Sequence, residues 1–350
     1  MSFQSTANVP GVDPQIQAAC NQFRQDYAAV QAEISKAIVG HESIIDGVLT
    51  CLFVGGHALL EGVPGLGKTA LIRSLASALD LKFSRIQFTP DLMPADVIGT
   101  NVIMENDQGH RAFTFMAGPI FAQIVLADEI NRATPKTQSA MLEAMQEKQV
   151  TAGGQVRKLE EPFFVMATQN PLEQEGTYPL PEAQLDRFFY KLIVQYSGRE
   201  ELREILNRTT TDHKVEIRPV LNGQRILQHQ QLVKRVVIAP HVQDYAIRCV
   251  LATHPQGIFA IPMTNQFLRV GASPRAAQAI TLASKVRALL DGRFHVSFKD
   301  IREVAVAAMR HRVILNFEGE AEGITTDMVL EKILAETPQT VEEEMAVARR

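Results

Sequence analysis

The stretch Gly62-Val63-Pro64-Gly65-Leu66-Gly67-Lys68-Thr69 decides the fold of this 350-residue chain. It matches the pattern G-x-x-x-x-G-K-[ST], follows an apolar run at 57–61 and opens a predicted helix at 68–79. Glycines permit positive φ, so successive backbone N–H groups can converge on an anion, and the helix N-terminus adds its positive end. Lys68 would neutralise the β- and γ-phosphates of ATP, and the Thr69 hydroxyl would ligate Mg²⁺. We therefore predict an ATP-binding stretch from Gly62 into the first helical turn at Ala70.

Two further apolar runs end in polar residues. Residues 124–127 are followed by Asp128 and Glu129, and a buried strand that stops at adjacent carboxylates needs compensating charge. Mg²⁺ would supply that charge at Asp128 through water, while Glu129 would point elsewhere by strand alternation and polarise the attacking water. The alternative is an N-cap acid with a solvated neighbour. Asn170 follows the run at 163–167; it would hold the lytic water or contact the γ-phosphate, unless it is only a turn residue before Pro171.

Bulk properties exclude several classes of protein. The composition is 46% hydrophobic and 21% charged, as in a folded protein, and the length suits two domains. No apolar run is long enough to span a bilayer, and the first residues show no signal peptide, so we expect a cytoplasmic protein without membrane insertion. Three widely separated cysteines, Cys20, Cys51 and Cys249, indicate buried thiols rather than a metal site. A net charge of −4 without a basic tract speaks against nucleic-acid binding.

The chain divides near Ser197-Gly198. Before this point, short apolar runs alternate with helical stretches, as a parallel sheet covered on both faces requires; the runs lie at 57–61, 83–88, 124–127, 163–167 and 189–196. Beyond it nearly everything is predicted to be helix, including 199–209, 242–253, 275–290 and 301–312. We predict an α/β protein with a flexible N-terminal arm at 1–14, a nucleotide-binding core at 15–197, and a helical domain with a C-terminal tail at 198–350.

The phosphate loop, the acidic pair, the strand that ends at Asn170 and the helical domain, in that order, resemble the AAA+ ATPases. Longer stretches resemble the MoxR family within that class: 85–96 (RIQFTPDLMPAD), 118–122 (GPIFA), 126–133 (LADEINRA), 134–147 (TPKTQSAMLEAMQE), 167–171 (ATQNP), 176–181 (GTYPLP) and 182–188 (EAQLDRF). The resemblance spans about residues 20 to 315. It implies an αβα core with a five-stranded parallel sheet, an all-α lid, and a homo-oligomeric ring, expected to be a hexamer, with ATP at subunit interfaces.

The resemblance also assigns roles to single residues. Lys68 and Thr69 fall on Walker A, Asp128 and Glu129 on Walker B, and Asn170 on sensor 1. Arg187 falls on the arginine finger; the alternative is a salt bridge to Asp186 or Glu182. Arg275 falls on sensor 2, in the first turn of a lid helix, where a cation opposes the helix dipole and therefore suggests an anionic partner. Arg132 is a second interface candidate, and whether Arg275 acts in its own subunit or across the interface stays open.

Three other segments carry family features. Residues 38–41, including Val39 and Gly40, resemble the box that cradles adenine, with His41 where relatives often have Gln. His311 and Arg312 resemble a lid signature, although a basic C-terminal turn that complements the helix dipole is the simpler interpretation. Hairpins predicted at 101–115 and 149–159 resemble the helix-2 insert and the pre-sensor-1 hairpin. In a ring both could grip a polypeptide; the alternative is ordinary surface hairpins.

The resemblance implies an ATP-driven chaperone that remodels client complexes, or inserts metal into them, with a von Willebrand A domain partner. A metal-chelatase ATPase subunit and a nucleic-acid motor of the same clade are alternatives, and the acidic charge speaks against the motor. A nucleotide-dependent scaffold without turnover is a third, against which Glu129 and Asn170 both speak.

Overall fold

The computed structural model describes residues 14–339 except 64, 66, 106–110, 172–175 and 211–214. Its helices are α1 Pro14–Ala37, α2 Glu42–Val54, α3 Lys68–Ala78, α4 Pro94–Ile98, α5 Pro135–Glu147, α6 Glu182–Leu185, α7 Arg199–Thr209, α8 Gly223–Arg235, α9 Pro240–Leu251, α10 Pro262–Phe267, α11 Pro274–Leu290, α12 Phe298–Met309, α13 Phe317–Ala321 and α14 Thr326–Glu336. Its strands are β1 Ala58–Glu61, β2 Phe83–Gln87, β3 Gly99–Glu105, β4 Arg111–Ala117, β5 Ile124–Asp128, β6 Gln149–Ala152, β7 Gln155–Lys158, β8 Phe164–Gln169, β9 Tyr190–Ile193, β10 Leu268–Val270 and β11 Ile314–Leu315.

A five-stranded parallel sheet with the order β2-β5-β8-β1-β9 forms the centre of the core. Each of the five predicted apolar runs overlaps one of these strands, so the predicted fold class is confirmed. The last strand is shorter than predicted, because the chain leaves the sheet after Ile193. Since all five strands run in the same direction, the residues that follow β1, β5 and β8 emerge side by side at one edge of the sheet.

Alternating side chains of the strands pack into two separate apolar layers, as the two faces of a covered sheet require. In β5, Ile124 and Leu126 face the layer built with α1, α2 and α3, whereas Val125 and Ala127 face the layer built with α4 and α5. The buried His57, directly before β1, links α5 to the neighbouring strand β8. Its Nε2–H donates to Met145 O (3.0 Å), and its Nδ1 accepts from the Val165 N–H (3.0 Å). Burial lowers the pKa of His57 to about 4, which keeps the ring neutral in this role.

Two helices of the lid, α11 and α12, begin at residues that favour helix starts. Pro274 is the first residue of α11, and the Ser297 hydroxyl accepts from the Asp300 N–H in a capping box that opens α12. A short antiparallel pair, β10 with β11, lies among these helices and was not anticipated. Helix α11 packs on α1 and α2, so the lid shares one apolar layer with the N-terminal helices and one face of the sheet.

Both predicted hairpins are present. Strands β3 and β4 pair from Gly99 opposite Ala117 to Glu105 opposite Arg111, and β6 pairs with β7 around Gly153-Gly154. Three of the predicted regions lie outside the described residues: the hairpin turn at 106–110, residues 1–13 of the predicted arm, and the tail from residue 340. Pro14, the last residue of the predicted arm, begins α1 instead.

The three cysteines are buried free thiols. No helix in the described ranges is long and apolar enough to cross a membrane.

Candidate active site

The phosphate loop connects β1 to α3 at the carboxyl edge of the sheet. Gly65 and Gly67 have φ of 85° and 75°, the left-handed region that favours glycine, and a Cβ at either would meet nothing within 4 Å. Gly62 begins the loop, where its N–H donates to Gln169 O on the neighbouring strand (3.2 Å). Pro64 and Leu66 lie outside the described residues, and Val63 is half-buried. The glycine conformations therefore suit a loop whose backbone N–H groups face an anion.

Lys68 begins α3, followed by Thr69 and Ala70 in the same first turn. The Lys68 ammonium donates to Gly62 O (2.6 Å), so the side chain folds back over the loop. Partial burial lowers the pKa of Lys68, while the nearby charges of Asp128 and Glu129 oppose this shift. An ammonium, a threonine hydroxyl and two carboxylates around a glycine nest form a donor set that fits a magnesium-bound nucleoside triphosphate.

Asp128 is the last residue of β5 and is buried. Its Oδ2 accepts two hydrogen bonds from Arg85 on β2 (2.6 and 3.1 Å), and its Oδ1 accepts one from the Thr168 hydroxyl (2.6 Å). Arg85 thus supplies compensating charge to Asp128 within the chain. No local pattern marks Arg85 or Thr168, because only the pairing of β2 and β8 with β5 brings them to Asp128.

Glu129 departs from the predicted strand alternation. Its φ of 56° places it in the left-handed region, so a turn after β5 directs its side chain. The Thr168 hydroxyl oxygen accepts from the Glu129 N–H (2.9 Å), which holds this turn. The Glu129 carboxylate accepts from Gln87 at the end of β2 (2.7 Å) and from Arg132 (3.0 Å). Glu129 precedes the short 3-10 helix Ile130–Arg132, as the N-cap alternative requires, but its side chain makes no capping hydrogen bond.

Asn170 directly follows β8 and is buried. Because β8 lies between β1 and β5, Asn170 emerges between the phosphate loop and the acidic pair. The fold therefore brings the predicted Walker A, Walker B and sensor 1 positions to one edge of the sheet.

The two carboxylates proposed as salt-bridge partners of Arg187 are engaged elsewhere. Asp186 binds Arg275 (3.1 Å) and Arg312 (2.8 Å), and Glu182 lies 3.4 Å from Arg269. Among the described residues no carboxylate lies within ion-pair distance of Arg187, and its buried Nε has no hydrogen-bond partner. Arg275 has an anionic partner within the subunit, because its guanidinium donates to Asp186 Oδ2.

The dipole interpretation of His311 and Arg312 describes only a small part of their contacts. Both residues follow α12, and Arg312 does donate to Ala308 O in its last turn. However, the Arg312 guanidinium is buried and bonds mainly to the segment 186–189 of the core, and His311 Nε2 lies 2.9 Å from Phe188 O. These two residues therefore join the lid to the core.

The predicted adenine box forms the turn between α1 and α2. Val39 lies at its centre, and Gly40 and His41 have φ of 69° and 59°. A Cβ at Gly40 would collide with the Glu201 carboxylate at the start of α7, so the box packs closely against the first helix after the core. A small apolar cavity lies between this turn and the phosphate loop and is lined by Ile38, His41, Ile44, Leu60, Gly67, Lys68, Leu71 and Val194.

Comparisons with known proteins agree with this geometry. Residues 57–190 match the family described as "ATPase family associated with various cellular activities (AAA)", and residues 262–333 match the AAA lid domain. The crystal structure of a candidate ATPase from Cytophaga hutchinsonii is 40% identical and superimposes with a TM-score of 0.86, covering 93% of this chain and 98% of that one.

Several curated relatives carry the MoxR name. Protein MoxR of Methylorubrum extorquens is 29% identical over 334 residues, which are 89% of this chain and 95% of that protein. The chaperone MoxR1 of Mycobacterium tuberculosis is 41% identical over 302 residues, which are 86% of this chain and 79% of that protein. On this similarity, the chain belongs to the MoxR family of AAA+ ATPases.

Proposed function

We propose that this chain hydrolyses Mg·ATP and uses the energy to remodel protein complexes. The observation that carries the proposal is the convergence of Lys68, Asp128, Glu129 and Asn170 at one edge of the sheet, beside a glycine loop of suitable conformation. The family to which the chain belongs, with its core and lid both matched, supports the same activity.

Each residue at this edge has a separate task. Lys68 and the loop N–H groups bind the phosphates, and Glu129 accepts a proton from the attacking water while Asn170 orients that water. Thr69 and Asp128 would hold Mg²⁺, which neutralises charge on the phosphates when bound. Arg85 bonds only to Asp128 Oδ2, and Oδ1 accepts one hydrogen bond from Thr168, so Oδ1 keeps a lone pair that could face the cation or its bound water.

The active unit is a homo-oligomeric ring, and we propose a hexamer. AAA+ proteins generally form rings with nucleotide at subunit interfaces. The buried Nε of Arg187 has no hydrogen-bond partner among the residues that the structure describes. Since a buried donor without an acceptor is costly, this supports a partner from outside the subunit. Arg275 would exchange its ion pair with Asp186 for a phosphate; its 45% exposed side chain can rotate to do so.

The remodelling role rests on the two hairpins and on the family. Ile103 and Phe113 lie opposite each other on β3 and β4 and are 63% and 76% exposed. Such an apolar pair on a projecting hairpin suits contact with a polypeptide. We propose a cytoplasmic chaperone that acts with a von Willebrand A domain protein to assemble, or insert metal into, client complexes.

We expect the oligomer to tighten with nucleotide, because a ligand shared by two subunits stabilises their interface by mass action. Light scattering at micromolar protein with Mg²⁺ and a non-hydrolysable ATP analogue should show a shift from small species to rings. Lys68→Ala, which removes the cation facing the phosphates, is the matched control and should not respond. A chain that stays monomeric with saturating analogue would contradict the ring.

A further inference from the structure

The segment Asp186–Phe189, between α6 and β9, carries Arg187, and the lid residue Arg312 makes several hydrogen bonds to it. A guanidinium has five N–H donors, and all five of Arg312 are used. Nε donates to Asp186 Oδ1 (2.8 Å), and Nη2 donates to Asp186 O (3.1 Å) and Phe188 O (2.7 Å). Nη1 donates to Phe189 O (3.2 Å) and to Ala308 O. Four of the five bonds therefore fix residues of this segment on both sides of Arg187.

Other lid groups bind the same segment. The Ser273 hydroxyl donates to Asp186 Oδ1 (2.8 Å), and Arg275 donates to Asp186 Oδ2 (3.1 Å). His311 Nε2 donates to Phe188 O, since a carbonyl can only accept (2.9 Å). Burial and the adjacent Arg312 charge hold the pKa of His311 well below its usual range, so the ring stays neutral.

Such a cluster goes beyond what packing the lid requires. The Arg312 side chain is only 3% exposed, and Asp186 is the one carboxylate that pairs with it among the described residues. Burying a charge is costly unless its partners are fixed in good geometry, so the lid and the segment 186–189 are held in one relative position. A shift of the lid would move the backbone on both sides of Arg187.

We propose that Arg312 is a positioning residue that ties the placement of the Arg187 finger to the orientation of the lid of the same subunit. The inference rests on the proposed function, in which Arg187 completes the nucleotide site of the neighbouring subunit. A nucleotide-driven movement of one lid would then shift Arg187 through Arg312, and so change the position of the finger in the neighbouring nucleotide site. Within the described part of the chain, Arg312 hydrogen-bonds to the finger segment and to Ala308, and to no residue of the nucleotide loop.

The test is complementation in mixed rings. Arg312→Lys keeps the charge but loses the planar fork, and a misplaced finger should slow turnover on the order of 100-fold, with ATP affinity of the isolated subunit unchanged. Mixed with Glu129→Gln, it should recover ATPase activity, because its own site is intact and the partner supplies a well-placed finger. Mixed with Arg187→Ala, it should recover nothing, because every finger is then defective.

The opposite pattern would overturn the inference. If Arg312 supports only its own nucleotide site, Arg312→Lys will recover with Arg187→Ala and not with Glu129→Gln; recovery with neither partner, or full activity alone, also contradicts it. If Arg312→Lys does not fold, the test is repeated with Asp186→Asn, which weakens the ion pair between Arg312 and Asp186 with little change of side-chain volume. Arg293→Lys is the matched control, since Arg293 bonds only within the lid, to Asp291, His295 and Asp300, and should retain turnover.

Mixing Arg187→Ala with Glu129→Gln separates this inference from the proposed function. If the reference pair recovers activity but the mixture of Arg312→Lys with Glu129→Gln does not, only the positioning role of Arg312 is contradicted. A reference pair that stays inactive despite demonstrated subunit exchange contradicts independently firing trans sites, and with them the inference.

Discussion

Glu129→Gln should bind ATP as the unmodified chain does and hydrolyse it roughly 10²- to 10⁴-fold more slowly, the usual contribution of a general base. The amide keeps the shape of the side chain and can still accept a hydrogen bond from Arg132 through its oxygen. It cannot accept the proton of the attacking water. Because the nucleotide is then bound and not consumed, the variant should accumulate as an ATP-filled ring. Single-turnover hydrolysis and nucleotide retention measure the two effects separately.

A second glutamine substitution controls for the loss of an ion pair. Glu204 forms a partly exposed ion pair with Arg208 on helix α7 and contacts none of the polar strand ends, and Glu204→Gln should retain full turnover. Normal hydrolysis by Glu129→Gln would assign the proton acceptor to another residue. Lost ATP affinity would show that Glu129 supports binding rather than chemistry.

Arg187→Ala should reduce turnover by about 10³- to 10⁵-fold, the range that arginine fingers contribute. The guanidinium stabilises charge that develops on the transferring phosphoryl group, so ATP binding should change far less than hydrolysis. Arg269→Ala is a suitable control, because Arg269 is exposed and pairs only weakly with Glu182 near the same segment. Steady-state ATPase assays and equilibrium nucleotide binding give the comparison.

Mixing shows from which subunit the finger comes. Arg187→Ala and Glu129→Gln are each expected to be inactive alone, but some interfaces in a mixed ring pair an intact Glu129 with an intact neighbouring Arg187. Those interfaces should hydrolyse ATP. Mixed rings that stay inactive despite demonstrated subunit exchange would contradict independently firing trans sites. Reduced ATP affinity in monomeric Arg187→Ala would mean that Arg187 contacts the nucleotide of its own subunit.

The sequence predicts the sheet well because each strand is a local apolar run next to a polar loop. It also predicts the edge to which Lys68, Asp128 and Asn170 belong, since parallel strands place their carboxyl ends together. Helix starts at Pro274 and Ser297 follow from local chemistry in the same way. Asn222 and Thr325 cap the N-termini of α8 and α14 through the same local chemistry.

The contacts around the site depend on tertiary structure and could not be read from any local pattern. Arg85 reaches Asp128 only because β2 pairs with β5, with Gln87 opposite Asp128. Arg312 and Asp186 meet across 126 positions of sequence. The direction of Glu129 depends on a left-handed turn that alternation along a strand does not anticipate.

That left-handed turn has a consequence for inactive copies of the protein. A non-glycine residue at φ of 56° costs about 1–2 kcal/mol. Glu129→Gly would remove this strain; the greater freedom of the unfolded glycine costs about 0.4–1 kcal/mol and the lost surface ion pair about 0–1 kcal/mol. These terms nearly cancel, so the variant should melt within a few degrees of the parent chain, and a much lower melting temperature would contradict this.

A subunit that has lost Glu129 would therefore pass cellular quality control and join rings alongside normal copies. Each such subunit would add one nucleotide site that cannot hydrolyse ATP. Mutations at this position should therefore act dominantly, because the inactive subunit is stable enough to assemble with normal copies.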